Sequence, residues 1–441
     1  MQALRDIDLY GAFPALALDR ALSRHELSPP DRGLATEIVY GATRRRNTLD
    51  WALGLVLSRP LEGLDPWTRN ALRLGAYQLL YLDAIPAHAA VNEAVELGKR
   101  YGHAGIAKLI NGVLRGLARR LPDLPYPDPA TDPVAHLALR HSHPEWLVRR
   151  WLARFGWAET VALLEADNAA PPFTIRANRL RTSREELLAQ LGREGVAAEP
   201  GRYHPQALNL LEHPAVTEIP AFGRGLFTVQ DETSMLATAA LDPRPGDTVL
   251  DACAGLGGKT THLAELMGDD GRVIATDIHP YKLEQLRAAA ARLGVGIVEA
   301  RRADARELGG ELEGRADAAL VDAPCTGLGV LRRRPDARWK KRESMLDEMP
   351  ELQYEILVSA ARCLRPGGVL VYSTCSIEPE ENGAVVRRLL SQQPGFSLDP
   401  LRPHLPASLE PDLGPGAGEL QLLPHRHGVD GFYVARLRRE R

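Results

Sequence analysis

Apolar residues recur at helical spacing from residue 14 to residue 120, as in 67–82 and 91–114, and strand signals there are few. The pattern predicts an all-α segment. Residues 122–133, Pro-Asp-Leu-Pro-Tyr-Pro-Asp-Pro-Ala-Thr-Asp-Pro, interrupt any helix repeatedly and read as a surface linker holding a domain boundary. Further on, helical periodicity at 144–155 and 183–194 flanks 173–178, where apolar and polar residues alternate as in a strand. That combination predicts a small α+β module. From 247 to 434 short apolar runs alternate with helical segments, the pattern of a parallel sheet covered by helices on both faces. The expected architecture is multidomain: an all-α domain over 1–133, a small α+β subdomain over 134–235 and a Rossmann-like α/β domain over 236–441.

Composition narrows the class. A chain of 441 residues, 44% hydrophobic and 25% charged, can bury a core in each of several domains and is not disordered. The start lacks the basic flank and apolar core of a secretion signal, and nowhere do about 18 apolar residues run together, so a soluble, cytoplasmic protein away from membranes is expected. The cysteines at 253, 325, 363 and 375 form no CxxC pair, which fits a reducing compartment and gives no zinc site and no other metal centre. Net charge is -3, so contact with nucleic acid has to come from a local basic patch.

Candidate chemistry collects in the last region. Strand one, 248–251, runs into Ala252-Cys-Ala-Gly-Leu-Gly-Gly-Lys-Thr-Thr261 and a helix, a glycine-rich turn that lets a ligand approach the backbone at a positive helix end. Two templates fit in part. Gly258-Lys259-Thr260 ends a P-loop whose first glycine is replaced by Cys253, and Gly255 and Gly257 open a dinucleotide fingerprint whose third glycine is Thr260. An ordinary strand-to-helix turn is the plain alternative. Acids stand at successive strand ends: Asp251, then Asp277 about 20 residues past the loop, then Asp304, then Asp322. Each alone is a common helix cap. Together they are expected to line one crevice at the carboxyl ends of the strands, where Asp277 would take ribose hydroxyls of an adenosine.

Two thiols add reactivity. Cys325 closes Asp322-Ala-Pro-Cys after strand four, and Cys375 lies in Ser373-Thr-Cys-Ser376 after strand five, 368–372. In a doubly wound sheet these strands are neighbours about 4.8 Å apart, so both thiols are expected to open into the crevice. Cys253 and Cys363 read as small buried hydrophobes.

At these residues the chain resembles a known family. Asp322-Ala-Pro-Cys-Thr-Gly-Leu-Gly-Val-Leu-Arg-Arg-Arg-Pro-Asp336 and Tyr372-Ser-Thr-Cys-Ser-Ile-Glu-Pro-Glu-Glu-Asn382 look like the RNA 5-methylcytosine methyltransferases. Arg73-Leu-Gly-Ala-Tyr-Gln-Leu and Ile85-Pro-Ala-His-Ala-Ala-Val-Asn-Glu-Ala-Val95 resemble an RNA-binding domain of the NusB type. Together with Val229-Gln-Asp-Glu-Thr-Ser234 and His427-Gly-Val-Asp-Gly-Phe-Tyr433 they are similar to one family, the bacterial 16S ribosomal RNA small-subunit methyltransferases B, over nearly the whole chain. In that family the loop reads Cys-Ala-Ala-Pro-Gly-Gly-Lys-Thr, and Gly255-Leu256 stand here in place of its Ala-Pro pair.

The resemblance implies transfer of a methyl group from S-adenosylmethionine to carbon 5 of a cytosine in 16S ribosomal RNA, by family cytosine 967. Cys375 would be the nucleophile, Cys325 the thiol that helps to expel it, and Asp322 the partner of the cytosine N3 and amino edge. Cofactor contacts would come from Cys253, Ala254, Gly255, Leu256, Gly257, Gly258, Lys259, Asp277, Asp304 and Asp322. Carrying both thiols separates this pattern from the DNA cytosine enzymes, which have the Pro-Cys thiol alone. Arg332, Arg333, Arg334, Arg338, Trp339, Lys340, Lys341 and Arg342 are expected to pair with phosphates and stack on a splayed base. The implied partner is 16S ribosomal RNA or an early small-subunit assembly particle, met by a monomer.

Overall fold

Local signals set where the first helices begin. In the computed structural model, which describes residues 1–24, 27–212 and 215–440, α1 (Gln2–Tyr10), α2 (Pro14–Leu22), α3 (Pro29–Arg44) and α4 (Arg46–Gly54) precede α5 (Pro66–Tyr81). Asp65 starts α5 by accepting from Trp67 N at 3.0 Å and Thr68 N at 3.1 Å, with Pro66 in the first turn. The 91–114 run is two helices, α6 (Ala87–Tyr101) and α7 (Ala104–Arg120). Gly102 divides them with φ −141° and ψ −131°, and the His103 side chain accepts from Gly105 N at 3.1 Å to begin α7. Their apolar stripes meet in a core that includes Leu49, Leu53, Leu72, Ile110 and Leu114, all fully buried.

The proline-rich stretch is pinned. Tyr126 lies against Trp51 with ring centroids 4.6 Å apart, and His136 Nδ1 is 2.7 Å from the Pro127 carbonyl. Then come α8 (Pro133–Arg140) and α9 (Glu145–Ala166). Two compact units emerge: Met1–Ala169 with Leu331–Lys341, and Ala170–Val330 with Arg342–Arg441. Residues 134–169 thus pack in the helical unit.

The returning segment corrects one expectation. Arg338 is fully buried, donating to the carbonyls of Arg44 (3.3 Å), Ser142 (2.9 Å) and Asp167 (3.1 Å) and to Asn168 Oδ1 (3.0 Å). Trp339 Nε1 donates to the Thr43 carbonyl at 2.7 Å, and Lys340 Nζ to the Gly11 carbonyl at 2.7 Å and to Asp336 at 2.6 Å. These side chains hold the helical unit together and are not displayed for RNA. Helix carboxyl ends leave carbonyls without intrahelical donors, and these carbonyls outbid a solvated surface for the guanidinium.

In the second unit, β1 (Phe173–Ala177), α10 (Arg184–Arg193), β2 (Ala198–Pro200), β3 (Ala207–Leu210) and β4 (Phe227–Val229) make an antiparallel sheet of order β2-β3-β1-β4. A reciprocal Ser183–Glu186 capping box begins α10. After α11 (Glu232–Leu241) the larger sheet follows: β5 (Thr248–Asp251), α12 (Gly258–Leu266), β6 (Arg272–Asp277), α13 (Pro280–Leu293), β7 (Val298–Arg302), β8 (Ala316–Asp322), α14 (Met345–Cys363) and β9 (Leu364–Thr374). It closes with α15 (Gly383–Gln392), β10 (Phe396–Leu398), β11 (Glu419–Leu422) and β12 (Phe432–Arg439).

The order is β10-β12-β9-β8-β5-β6-β7, with β11 also on β12. Strands β5 to β9 are parallel; the edge strand β7 is only half-buried, and the inner strands are buried on both faces, Val249 in one core cluster and Leu250 in the other. The sheet is mixed, since β10, β11 and β12 pair antiparallel. Residues 423–431 between β11 and β12 are too few for the dozen-residue crossover that parallel pairing demands. Among the described residues no helix is long and apolar enough to cross a membrane.

Candidate active site

The glycine loop leaves β5 and enters α12. Asp251 is fully buried, and its carboxylate accepts from Thr260 Oγ1 at 2.7 Å, tying the strand to the helix that follows the loop. It therefore does not line an open crevice with the other strand-end acids, as expected of it. Burial raises its pKa to about 6. Gly255 has φ 56° and Gly257 φ 87°, the left-handed region that glycine enters without penalty. A Cβ on Gly257 would come within 2.6 Å of Leu286 Cγ, whereas one on Gly255 would face open space. Leu256 is exposed, Ala254 buried and Cys253 half-buried. Burial, then the charge of Asp251, pushes the Cys253 thiol far up, and burial raises Cys363 to about 12, so both stay protonated.

Asp277 ends β6 at the edge of this loop. Its Oδ2 accepts from Gly255 N at 3.2 Å and Lys282 Nζ at 3.1 Å, and its Oδ1 accepts from His279 N at 2.8 Å. Asp304, past β7, is gripped by Arg306, whose guanidinium donates to both oxygens and holds the carboxyl below its usual range. A ligand at Asp304 has to displace that pair.

The thiols come together. Paired register across β8 and β9 sets Val321 beside Tyr372 and Asp322 beside Ser373, and just beyond it Cys325 Sγ lies 3.2 Å from Cys375 Sγ. That contact, with burial, pushes the Cys325 thiol well above its ordinary value. Asp322 accepts from Ser373 Oγ at 2.9 Å and from Lys259 Nζ at 2.7 Å. Burial pulls the Lys259 ammonium down, but Asp322 and then the Cys375 sulfur outweigh it, so Lys259 stays charged. Its Nζ also reaches Ser234 Oγ at 3.3 Å, and its charge faces the second acid of the site, not bulk solvent.

Sequence reasoning gave Glu381 no part. It is fully buried and accepts from Thr326 N (2.7 Å), Ser376 Oγ (2.5 Å) and Gln353 Nε2 (3.1 Å), and also from Thr326 Oγ1. It thus binds the loop after Cys325 to the loop after Cys375. Gly329 N donates to the Cys375 carbonyl at 3.0 Å, and a Cβ there would lie 2.2 Å from the Gly431 carbonyl. The signal was in Glu-Pro-Glu-Glu-Asn382, but a run of acids reads as a solvated turn unless its buried donors are known.

Residues 238–438 match the model of the 16S rRNA methyltransferase RsmB/F family, residues 1–119 that of the NusB family, and residues 143–217 a ferredoxin-like domain of RsmF/B-like methyltransferases. The probable ribosomal RNA small subunit methyltransferase B of Bacillus subtilis (strain 168) is 39% identical over 442 residues, covering 100% of this chain and 98% of that protein. The chain belongs to the RsmB/F methyltransferase family. Another relative in this family, the ribosomal RNA small subunit methyltransferase B of Serratia proteamaculans (strain 568), is 35% identical over 93% of the chain and 91% of its own length. The crystal structure of PH0851 superposes with a TM-score of 0.86 at 31% identity, covering 100% of this chain and 97% of that one. NSun6 from Pyrococcus horikoshii, solved with SFG, gives 0.60 at 26% identity over 68% of this chain and 98% of its own. The NusB-type helical domain, the ferredoxin-like subdomain and the methyltransferase sheet follow one another here as the RsmB/F match implies.

Proposed function

We propose that the protein methylates carbon 5 of a cytosine in 16S ribosomal RNA, by family resemblance cytosine 967, through a covalent bond between Cys375 and the base. The observation that carries this is the pair of thiols 3.2 Å apart beside the Asp322–Lys259 ion pair. S-adenosylmethionine, when bound, supplies the electrophilic methyl group. The residues present fit it: Gly255 leaves open space on a left-handed turn, and Asp277 stands beside that turn as ribose acceptor. Cys253, Ala254, Leu256, Gly257 and Gly258 would complete the cradle, with Asp304 toward the adenine.

Carbon 5 of cytosine is a weak nucleophile until a thiolate adds to carbon 6. The Cys375 sulfur forms the S–C6 bond, the 5,6 π electrons move to carbon 5, and the ring reacts as an enamine. Lys259 stabilises the thiolate electrostatically. Asp322 accepts from the amino edge of the base, held in place by Ser373 and Lys259. After methyl transfer the proton on carbon 5 passes to water, its C–H electrons re-form the 5,6 double bond, and the S–C6 bond breaks to return the Cys375 thiolate, with Cys325 donating to the departing sulfur. Cys325, held protonated, is suited to donating to the departing sulfur and not to being the first nucleophile. The reading places the RNA-facing role in the NusB-type and ferredoxin-like parts, with a monomer acting in the cytoplasm on RNA or an early assembly particle.

Replacing Cys375 by alanine is expected to abolish both methyl transfer and the protein–RNA adduct. Cys325→Ala should instead accumulate an adduct that survives denaturing electrophoresis, because the bond forms and is not resolved. An adduct in Cys375→Ala and none in Cys325→Ala would reverse the two roles. Two active variants without adduct would remove the covalent route.

A further inference from the structure

The helical unit holds a cleft of about 740 Å³ that the methyltransferase reaction does not use. Arg45, Tyr81, Tyr126, Arg140, His141 and Glu165 are among its walls. Nine of its thirteen lining residues lie beyond residues 1–119, so it is not contained in the part that matches the NusB family.

Nearby arginines are neutralised. Arg73 binds Asp8 and Asp50 at 2.9 and 2.7 Å, Arg69 binds Asp8 at 2.5 Å, and Arg46 lies within 4.0 Å of the same two acids. Arg45 and Arg140 differ. Among the described residues neither has a carboxylate within ion-pair distance, and each lies over a tyrosine ring, Arg45 4.8 Å from the centroid of Tyr81 and Arg140 5.3 Å from that of Tyr126. Tyr126 is itself fixed against Trp51. Ring contact uses the flat face of a guanidinium and leaves its N–H edge free, so both side chains are held in place with their donors unspent. Burial, then the charges of Arg45 and Arg140, holds His141 down to about 4, the mark of a cleft whose potential is already positive. Glu165, exposed on the same wall, is the one carboxylate of the lining among the described residues and pairs with neither arginine.

We infer that this cleft is a separate RNA-backbone site, in which Arg45 and Arg140 each take a phosphate of a non-helical strand of the substrate RNA. The inference rests on the reading that the substrate is RNA, and it adds the place where the helical unit grips it. A phosphate suits the planar fork of each guanidinium, and an open cleft of this size admits a nucleotide strand. Carboxylates of an acidic peptide would also fit the forks, so displacement of RNA by such a peptide is an outcome of the test.

The test titrates the full-length protein with a 16S ribosomal RNA transcript across a salt series. Arg45→Gln with Arg140→Gln should weaken binding about 10-fold or more at low salt and lower the slope of log affinity against log salt by about two, one per lost phosphate contact. Arg140→Gln alone changes an exposed side chain and should lower the slope by about one. Arg149→Gln, also exposed and outside the cleft lining, should leave both quantities in place. The inference is overturned by a double variant that binds with the wild-type slope, by an equal loss in Arg149→Gln, or by an acidic peptide displacing RNA from the wild type at the cleft. Labelled-cofactor transfer to the transcript is run alongside: no label from the wild type would sink the RNA reading itself, whereas label with unaltered variant binding would sink the cleft alone.

Discussion

A carboxyl group sealed from water is a sensor of its own proton. Asp251 is fully buried, and burial lifts it to about 6 despite the hydrogen bond from Thr260. Between about pH 4 and pH 6 the folded protein keeps a proton that the unfolded chain, with its carboxyl near 3.9, has released. Stability from this group is therefore full below that window and lost as pH rises through it. Two pKa units correspond to about 3 kcal/mol. Asp251→Asn cannot ionise and can still accept from Thr260. Its stability relative to the wild type, from urea unfolding, is expected to improve by about 3 kcal/mol between pH 4 and pH 7. A difference that does not change with pH would show that Asp251 is not sealed. At this scale the two thiols were legible, because strand adjacency follows from topology and topology from the alternation of elements. That Asp251 is enclosed while Asp277 stands at a loop edge was not. Strand-end position is the same for both, and only packing against Thr260 separates them.

Between elements, a buried ion pair does for β1 and α12 what the glycine loop cannot do for itself. Arg176 on β1 and Glu265 on α12 are both without solvent exposure and 2.5 Å apart, and Arg176 also donates to the Gly258 carbonyl at 2.8 Å and to Thr261 Oγ1 at 3.1 Å. The ferredoxin-like sheet thereby holds the first turn of the helix below the glycine loop. Arg176→Met should leave the Glu265 charge uncompensated and cost about 3 to 5 kcal/mol, with weaker binding of S-adenosylmethionine. Pairing it with Glu265→Leu should return most of the stability and little of the cofactor affinity, since the Gly258 contact stays absent. Thermal unfolding and calorimetric titration read the two effects apart, and a double variant as unstable as the single would refute the account. The strand Phe173–Ala177 was visible from alternation alone. An arginine in the middle of that strand reads as the solvent face, and its buried partner lies 89 residues further along the chain.

For the molecule as a whole, the order of units is not the order of the sequence. The alternation of α and β segments showed the helical part, the small module and the sheet, but not that residues 331–341 go back to the helical unit. A segment rich in arginine looks solvated, and nothing local reveals the carbonyls it is destined to meet. Arg338 and Trp339 reach the last residues of α3, and Arg338 also the residues just past α8 and α9. A fragment beginning at 136 lacks the Thr43 and Arg44 carbonyls, so it is expected to expose that segment and to be largely aggregated on gel filtration. A monodisperse, cofactor-binding fragment would show the segment to be dispensable. The same arrangement bears on how the chain is made. Synthesis runs from the amino end at about 5–20 residues per second, and residues 170–330 must all appear between α9 and the returning segment. For something on the order of ten seconds, the unit translated first waits with three helix ends unstoppered, and it is finished by a piece of chain that the ribosome delivers only after the first four strands of the larger sheet have emerged.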